Sequence, residues 1–124
     1  MYQQKSGNKY HAQSSEYNGI RYDSKLEAAY AAELDIRKRG KDIKNWERQT
    51  TLELKVNGLK ICNYKIDFII EHNDGSFEWA EIKGFETMEW RMKWKLLEAT
   101  FDDHKRTPDD RLTVIKQSQV RYRW

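Results

Sequence analysis

Residues 63–83 read NYKIDFIIEHNDGSFEWAEIK, and the pairing of strands within this segment sets the architecture around it. It contains two runs rich in β-branched and aromatic residues, 63–70 and 77–83, a composition typical of β-strands. The turn-forming triplet Asn73-Asp74-Gly75 lies between them. The stretch is therefore predicted to form an antiparallel β-hairpin.

The length of the hairpin loop determines which side chains share a face of the sheet. A three-residue loop with Gly75 in the left-handed conformation would place Asp67 directly opposite Glu81. A two-residue loop would shift the pairing by one residue, put Asp67 opposite Ile82 and send Glu81 and Lys83 to the other face. Whether these groups can form a site therefore depends on the loop.

Asp67, Glu81 and Lys83 are the candidate catalytic residues of the hairpin. Two carboxylates that face each other across a strand pair repel one another unless a cation or a proton lies between them. Oxygen ligands from Asp67 and Glu81, with the Ile82 carbonyl as a further candidate, suit Mg²⁺ or its substitute Mn²⁺ better than zinc. Lys83 can orient or deprotonate a water nucleophile and offset charge on a phosphate in the transition state. The alternative is that all three are solvated charges on a half-exposed sheet.

An alanine-rich segment, residues 23–34, predicts a helix that continues to a C-terminal cap at Gly40. Ser24 can cap its start, and Glu27 three residues later can complete a capping box. On a helical wheel Glu27 also lies within about 20° of Leu34, at the edge of the apolar stripe. Glu27 is therefore a candidate both for capping and for the site on the hairpin.

The remaining elements complete a mixed α/β (α+β) domain. Alternating residues 50–56 and the Asn57-Gly58 turn predict a strand before that of Asp67, so the sheet begins as an antiparallel meander. Thr87 can cap a second helix whose Trp90, Trp94, Leu97 and Phe101 lie at helical spacing and are predicted to belong to the core, and residues 112–115 predict a closing strand. A small hairpin at Asn18-Gly19 would precede the first helix. Residues 1–16 are polar and are predicted to form a mobile N-terminal arm before a single domain over 17–124.

Three motifs, in this order, resemble the PD-(D/E)XK nuclease superfamily. They are Ser24-Lys25-Leu26-Glu27 on the first helix, Lys65-Ile66-Asp67-Phe68 on a middle strand and Trp79-Ala80-Glu81-Ile82-Lys83-Gly84 on the next. The resemblance runs from about residue 22 to residue 117 and is closest to phage-type endonuclease I, the Holliday-junction resolvases, and related small phage and prophage nucleases. One departure is Ile66, which stands where many members have proline.

This resemblance implies a restriction-endonuclease-like core, a central mixed sheet flanked by helices. It implies a Mg²⁺-dependent endodeoxyribonuclease in which Glu27, Asp67 and Glu81 hold one or two metal ions and Lys83 is the catalytic lysine. It further implies a branched, Holliday-junction-like DNA substrate and a homodimer that presents two sites. Two alternatives are a catalytically silent nuclease-fold protein that binds DNA or a protein partner, and a nuclease for nicked, single-stranded or linear DNA.

The net charge of +3 is too small to identify a nucleic-acid partner, but basic residues are clustered. Residues 37–48 hold six basic and two acidic residues, and residues 111–124 hold four basic and no acidic ones. The candidate DNA-binding residues are Lys25, Lys93, Lys95, Arg121 and Arg123. The alternative is that these are solvated surface charges, with Lys93 or Lys95 paired to a glutamate one turn away.

Composition sets outer limits on the class of protein. With 124 residues the chain is long enough for one domain, and its single cysteine, Cys62, excludes an internal disulfide and a cysteine-rich zinc site. No apolar run reaches membrane-spanning length. We expect a protein of the cytoplasm, or of the host cytoplasm if the chain is phage-encoded.

Overall fold

The structure, a computed structural model, describes residues 15–120. Within that range the chain has an α+β fold of two α-helices and six strands. In chain order these are β1 (Ser15–Tyr17), β2 (Ile20–Tyr22), α1 (Lys25–Arg39), β3 (Asn45–Val56), β4 (Leu59–Glu71), β5 (Phe77–Lys83), α2 (Met88–Thr100) and β6 (Arg111–Lys116). Arg121, Arg123 and most of the predicted N-terminal arm lie outside the described residues, whereas the last two residues assigned to that arm belong to β1.

The main sheet has four strands in the order β3-β4-β5-β6. The first three strands pair antiparallel, and β6 returns parallel to β5 after α2. Strands β1 and β2 form the separate small hairpin predicted at Asn18-Gly19. The predicted mixed sheet that begins as an antiparallel meander is therefore confirmed.

The β4–β5 hairpin has the three-residue loop. The His72 N–H donates to the Ser76 carbonyl at 2.9 Å, and Gly75 has the left-handed φ of +91°. Phe68 pairs with Ala80 in this register, so the next residues along the two strands are Asp67 and Glu81. The register that brings the two acids opposite each other is confirmed.

Both predicted helices have the expected caps. The Ser24 hydroxyl accepts from the Glu27 N–H at 3.1 Å, and α1 ends at Gly40. The Thr87 hydroxyl accepts from the Trp90 N–H at 3.0 Å at the start of α2. Strand β3 begins at Asn45, five residues earlier than the alternation over 50–56 predicted.

Each helix covers one face of the sheet. The alanines of α1 let it pack closely on one face, where the sheet contributes Phe68, Ile70, Ala80 and Ile82. Helix α2 covers the other face with Trp94 and Leu97, against Leu52, Leu54, Tyr64, Ile66, Ile69 and Trp79. Cys62 is partly buried beside this second core. In the range 15–120, no helix has both the length and the apolar character needed to cross a membrane.

The side chains of β4 change the core to which they contribute partway along the strand. Tyr64 and Ile66 belong to the core under α2, but Phe68 and Ile70, at positions of the same parity, belong to the core under α1. In a regular strand such residues would share a face. The exchange falls at Asp67, so the strand is locally twisted where this acid emerges.

A distortion in β3 accompanies this twist. Gln49 has a φ of +53°, which a non-glycine residue rarely adopts inside a strand. The ladder joins Arg48 to Phe68 and Thr50 to Ile66 but skips the intervening position, where Gln49 faces Asp67. This backbone conformation costs on the order of 1 kcal/mol and releases Asp67 from regular pairing.

Candidate active site

The candidate site lies at the end of the β4–β5 pairing, beside the first turn of α1. Asp67 comes from β4, Glu81 and Lys83 come from β5, and Glu27 comes from α1. The charges of Asp67, Glu81 and Lys83 all act on the Glu27 carboxyl. The structure therefore brings together the four residues that the sequence singled out.

Asp67 is held by the backbone of the neighbouring strand. Its Oδ2 accepts a hydrogen bond from the Ile82 N–H at 2.8 Å, beyond the last ladder pair. Burial raises the pKa of Asp67 to about 6, although the Ile82 hydrogen bond and the Lys83 charge oppose the rise. The carboxyl is thus fixed in place by a donor from the same strand that carries Glu81.

Glu81 is buried, with 6% of its surface exposed, and is incompletely satisfied. Its Oε2 lies 3.6 Å from the Lys83 Nζ, but its buried Oε1 has no hydrogen-bond partner. Burial and the nearby Asp67 charge raise the pKa of Glu81 to about 8, whereas Lys83 and the Tyr64 hydroxyl favour the ionised form. An unpartnered buried carboxylate oxygen is costly unless something binds to it.

Glu27 lies in the first turn of α1, close enough to these two acids for their charges to act on its carboxyl. Its N–H donates to the N-cap Ser24, so the backbone part of the predicted capping box is present. Burial, and then the charges of Asp67 and Asp23, raise the pKa of Glu27 to about 9. The carboxyl therefore belongs electrostatically to the acid cluster, as the position of Glu27 at the edge of the apolar stripe predicted.

The cluster has the donor chemistry of a site for a hard divalent cation. Glu27, Asp67 and Glu81 offer carboxylate oxygens that a bound cation can use in place of protons, and the Glu81 Oε1 is unused. Among residues 15–120, however, no three His, Cys, Asp or Glu side chains are grouped tightly enough to enclose a metal ion as they stand. The donors fit Mg²⁺ or Mn²⁺, whereas the ligand shell is not closed in this conformation.

Two aromatic residues that sequence reasoning did not assign to the site lie beside it. The Trp90 Nε1 donates to the Tyr64 hydroxyl at 2.8 Å, and the Lys83 Nζ lies 5.0 Å from the centre of a Trp90 ring. The spacing of Trp90 with Trp94 predicted a core residue, and Trp90 indeed packs on the core under α2. The available sequence signal for a place beside the site was that Trp90 lies in the first turn of the helix that follows the Glu81–Lys83 strand.

The predicted DNA-binding residues are less well defined. Lys93 is paired with Glu89 at 3.3 Å, the surface pairing that was its alternative explanation, and Lys25 and Lys95 are exposed. A basic residue in β6, Lys116, lies next to Lys83 in the strand register. Lys116 and Arg91 both contact Glu86, at 3.2 and 3.3 Å, so two further cations flank this edge of the site.

Fold and site together define an α+β protein with a buried acidic cluster and one lysine at the end of a strand pair. The chain belongs to the family described as "Protein of unknown function (DUF1064)", whose model matches residues 7–117. No curated protein and no solved structure shows a significant match to the chain.

Proposed function

We propose that this protein is a Mg²⁺-dependent endodeoxyribonuclease that hydrolyses phosphodiester bonds, with branched DNA as its substrate and a homodimer as its working form. The observation that carries the proposal is the convergence of Glu27, Asp67 and Glu81 with Lys83, including a buried Glu81 oxygen that has no partner. A set of acids placed this way destabilises the fold unless it binds something positive.

The acids would hold the metal, and Lys83 would act on the phosphate. Asp67 and Glu81 are the primary ligands because they lie on adjacent strands, and Glu27 would complete the set from the helix. A bound divalent cation would supply Lewis-acid polarisation of the scissile phosphate. The Lys83 amine lies 3.6 Å from Glu81 Oε2 as an ion pair, so its fitting role is to donate to the phosphate and offset developing charge.

Hydrolysis requires a water to attack phosphorus in line with the leaving 3′ oxygen. A P–O bond forms to the water, the P–O3′ bond breaks, and the water loses a proton while the 3′ oxygen gains one from solvent. The acids and Lys83 are positioned to orient these groups and to balance their charge. The products would be a 5′ phosphate and a 3′ hydroxyl.

The choice of DNA rests on the motif resemblance and on the cations around the site. Lys116 and Arg91 flank Lys83 and could contact the backbone on either side of the scissile phosphate. Both are paired with Glu86, which DNA would displace. Branched DNA and the homodimer come from the resemblance to junction-resolving nucleases.

The test is a substrate panel with end-labelled four-way junction, nicked duplex, single strand and linear duplex, each incubated with Mg²⁺ or EDTA. We expect Mg²⁺-dependent cleavage that favours the junction and is lost in Glu81→Gln and Lys83→Met. Glu98→Gln, an exposed acid of α2, is the matched control and should cleave normally. No cleavage of any substrate, together with junction binding that is unaffected by Mg²⁺, would overturn the proposed nuclease activity and indicate a DNA-binding protein instead.

A further inference from the structure

We propose that Tyr64 and Trp90 are positioning residues that hold Glu81 and Lys83 in their working orientations, an inference that rests on the proposed function. Tyr64 lies on β4 and Trp90 lies in the first turn of α2. Through them a single helix would fix both the acid and the amine of the site.

The direction of the hydrogen bonds follows from the chemistry of the two side chains. The indole Nε1 is a donor only, so at 2.8 Å the Tyr64 oxygen must accept from Trp90. The hydroxyl proton of Tyr64 is then left to donate elsewhere. The Glu81 carboxyl lies close by, since its Oε2 is 3.6 Å from the Lys83 Nζ that sits over the Trp90 ring, and its buried Oε1 lacks a hydrogen-bond partner. In the proposed arrangement Glu81 accepts the Tyr64 proton, and the chain of donors runs from Trp90 through Tyr64 to Glu81.

Trp90 also contacts the amine. The Lys83 Nζ lies 5.0 Å from the centre of the indole ring, within range of a cation–π interaction, and 3.6 Å from the Glu81 Oε2. The ring face thus limits where the long lysine side chain can place its charge. The indole N–H therefore acts on Glu81 through Tyr64, and the face of the same ring contacts Lys83.

The pair is itself rigid. Trp90 stacks on Trp94 with ring centres 5.6 Å apart, and Tyr64 lies 6.0 Å from Trp94. The Trp90 backbone N–H is held by the Thr87 cap. Because both rings contact Trp94 and the Trp90 backbone is held at the cap, the orientation of the hydroxyl and of the indole N–H is set by the core rather than by solvent.

The experiment is a double-mutant cycle with two readouts, Mn²⁺ affinity by calorimetry without DNA and steady-state cleavage kinetics. Tyr64→Phe and Trp90→Phe should each weaken Mn²⁺ binding and kcat by about 10-fold, with the KM for DNA unchanged. Because both act through one chain of donors, the double variant should be no worse than either single one. Trp90→Leu, which also removes the ring face, should lower kcat further at the same Mn²⁺ affinity.

Phe101→Leu is the matched control, since Phe101 packs on the same core at the far end of α2, with its ring centre 5.7 Å from that of Trp79. It should lower the melting temperature but leave Mn²⁺ affinity and kcat within about twofold, which separates positioning from packing. An active wild type with unaltered Mn²⁺ affinity in Tyr64→Phe, or additive losses in the double variant, would overturn the positioning role alone. A wild type that neither binds Mn²⁺ nor cleaves DNA would overturn the proposed function as well. If Trp90→Phe fails to fold, Tyr64→Phe decides, because it deletes a single oxygen atom.

Discussion

Glu81→Gln should stabilise the metal-free protein and remove most of its stabilisation by Mn²⁺. Burial and the Asp67 charge raise the pKa of Glu81 from 4.5 to about 8. The folded chain therefore keeps this proton to a higher pH than the unfolded chain does, and its stability falls as the pH rises through that window. Glutamine has no charge to bury, so the variant escapes this loss.

The gain in stability of Glu81→Gln at pH 7 can be estimated from the same pKa shift. The step from 4.5 to 7, at about 1.4 kcal/mol per pH unit, gives about 3 kcal/mol for Glu81 taken alone. Asp67 shares the repulsion, and the glutamine amide needs hydrogen-bond partners of its own. We therefore expect a gain of about 1 to 2 kcal/mol in the free energy of unfolding. For comparison, an ion at about 100 times its Kd would stabilise the wild type by about 2.7 kcal/mol.

The assay is urea unfolding followed by tryptophan fluorescence at pH 5.5 and pH 8, in EDTA and in Mn²⁺. In EDTA the variant should exceed the wild type at pH 8 and approach it at pH 5.5, and Mn²⁺ should stabilise the wild type more. Glu78→Gln is the control, because Glu78 lies on the same strand, is 7% exposed and is paired with Arg111 at 3.0 Å. It should lose stability at both pH values. A Glu81→Gln protein that is less stable than the wild type at pH 8 in EDTA would show that the Glu81 charge does not destabilise the metal-free fold.

Three shorter predictions concern other parts of the structure. Gln49→Gly should keep the free energy of unfolding within about 0.5 kcal/mol of the wild-type value, whereas Gln49→Val should lower it by about 2 kcal/mol and reduce cleavage, because only glycine accepts a φ of +53° easily. Equal stability of the two variants in urea unfolding would contradict this. Lys83→Met should lower kcat by about 100-fold or more with Mn²⁺ affinity retained, and a parallel loss of affinity by calorimetry would assign Lys83 to metal binding instead. Asp110 accepts hydrogen bonds from the Trp79 indole and the Thr107 hydroxyl, and these contacts lower its pKa to about 2 despite burial, so Asp110→Asn should cost about 2 kcal/mol at pH 7. Because the stabilisation by Asp110 is lost as the pH falls from 3.8 through 2, the difference in unfolding free energy between the variant and the wild type should shrink in acid.

The fold was predictable where local chemistry determines it. Gly75 supplies the left-handed residue that a three-residue loop requires, and this fixed the register of the hairpin and hence the approach of Asp67 to Glu81. Ser24 and Thr87 signal helix starts because their hydroxyls satisfy free backbone N–H groups. Such signals act within a few residues, so a single sequence displays them.

The finer geometry of the site was not predictable, because it depends on contacts between distant segments. Glutamine has no preference for positive φ, so nothing in the sequence marks Gln49 as the point where β3 distorts. Because the distortion interrupts the alternation of buried and exposed side chains, the sequence pattern did not reveal the first five residues of β3. The hydrogen bond between Trp90 and Tyr64 joins residues 26 positions apart and requires α2 to be placed over β4. Helical spacing alone indicated a core role for Trp90.

Strand β5 provides an internal comparison that argues for function at one of its ends. Glu78 and Glu81 are three residues apart and almost equally buried, at 7% and 6% exposed. Glu78 has His72 at 2.8 Å and Arg111 at 3.0 Å, whereas one oxygen of Glu81 has no partner, and Glu81 interacts electrostatically with two more acids, Asp67 and Glu27. The same strand can therefore give a buried glutamate two side-chain partners, and the glutamate with an unpartnered oxygen coincides with the strained Gln49 region and the end of the β4–β5 ladder. Local conflicts that gather at one place while the rest of the core is consistent are the physical signature of a site retained for binding. If a divalent cation fails to relieve the conflict at Glu81, some other positive ligand must be sought for this end of the strand.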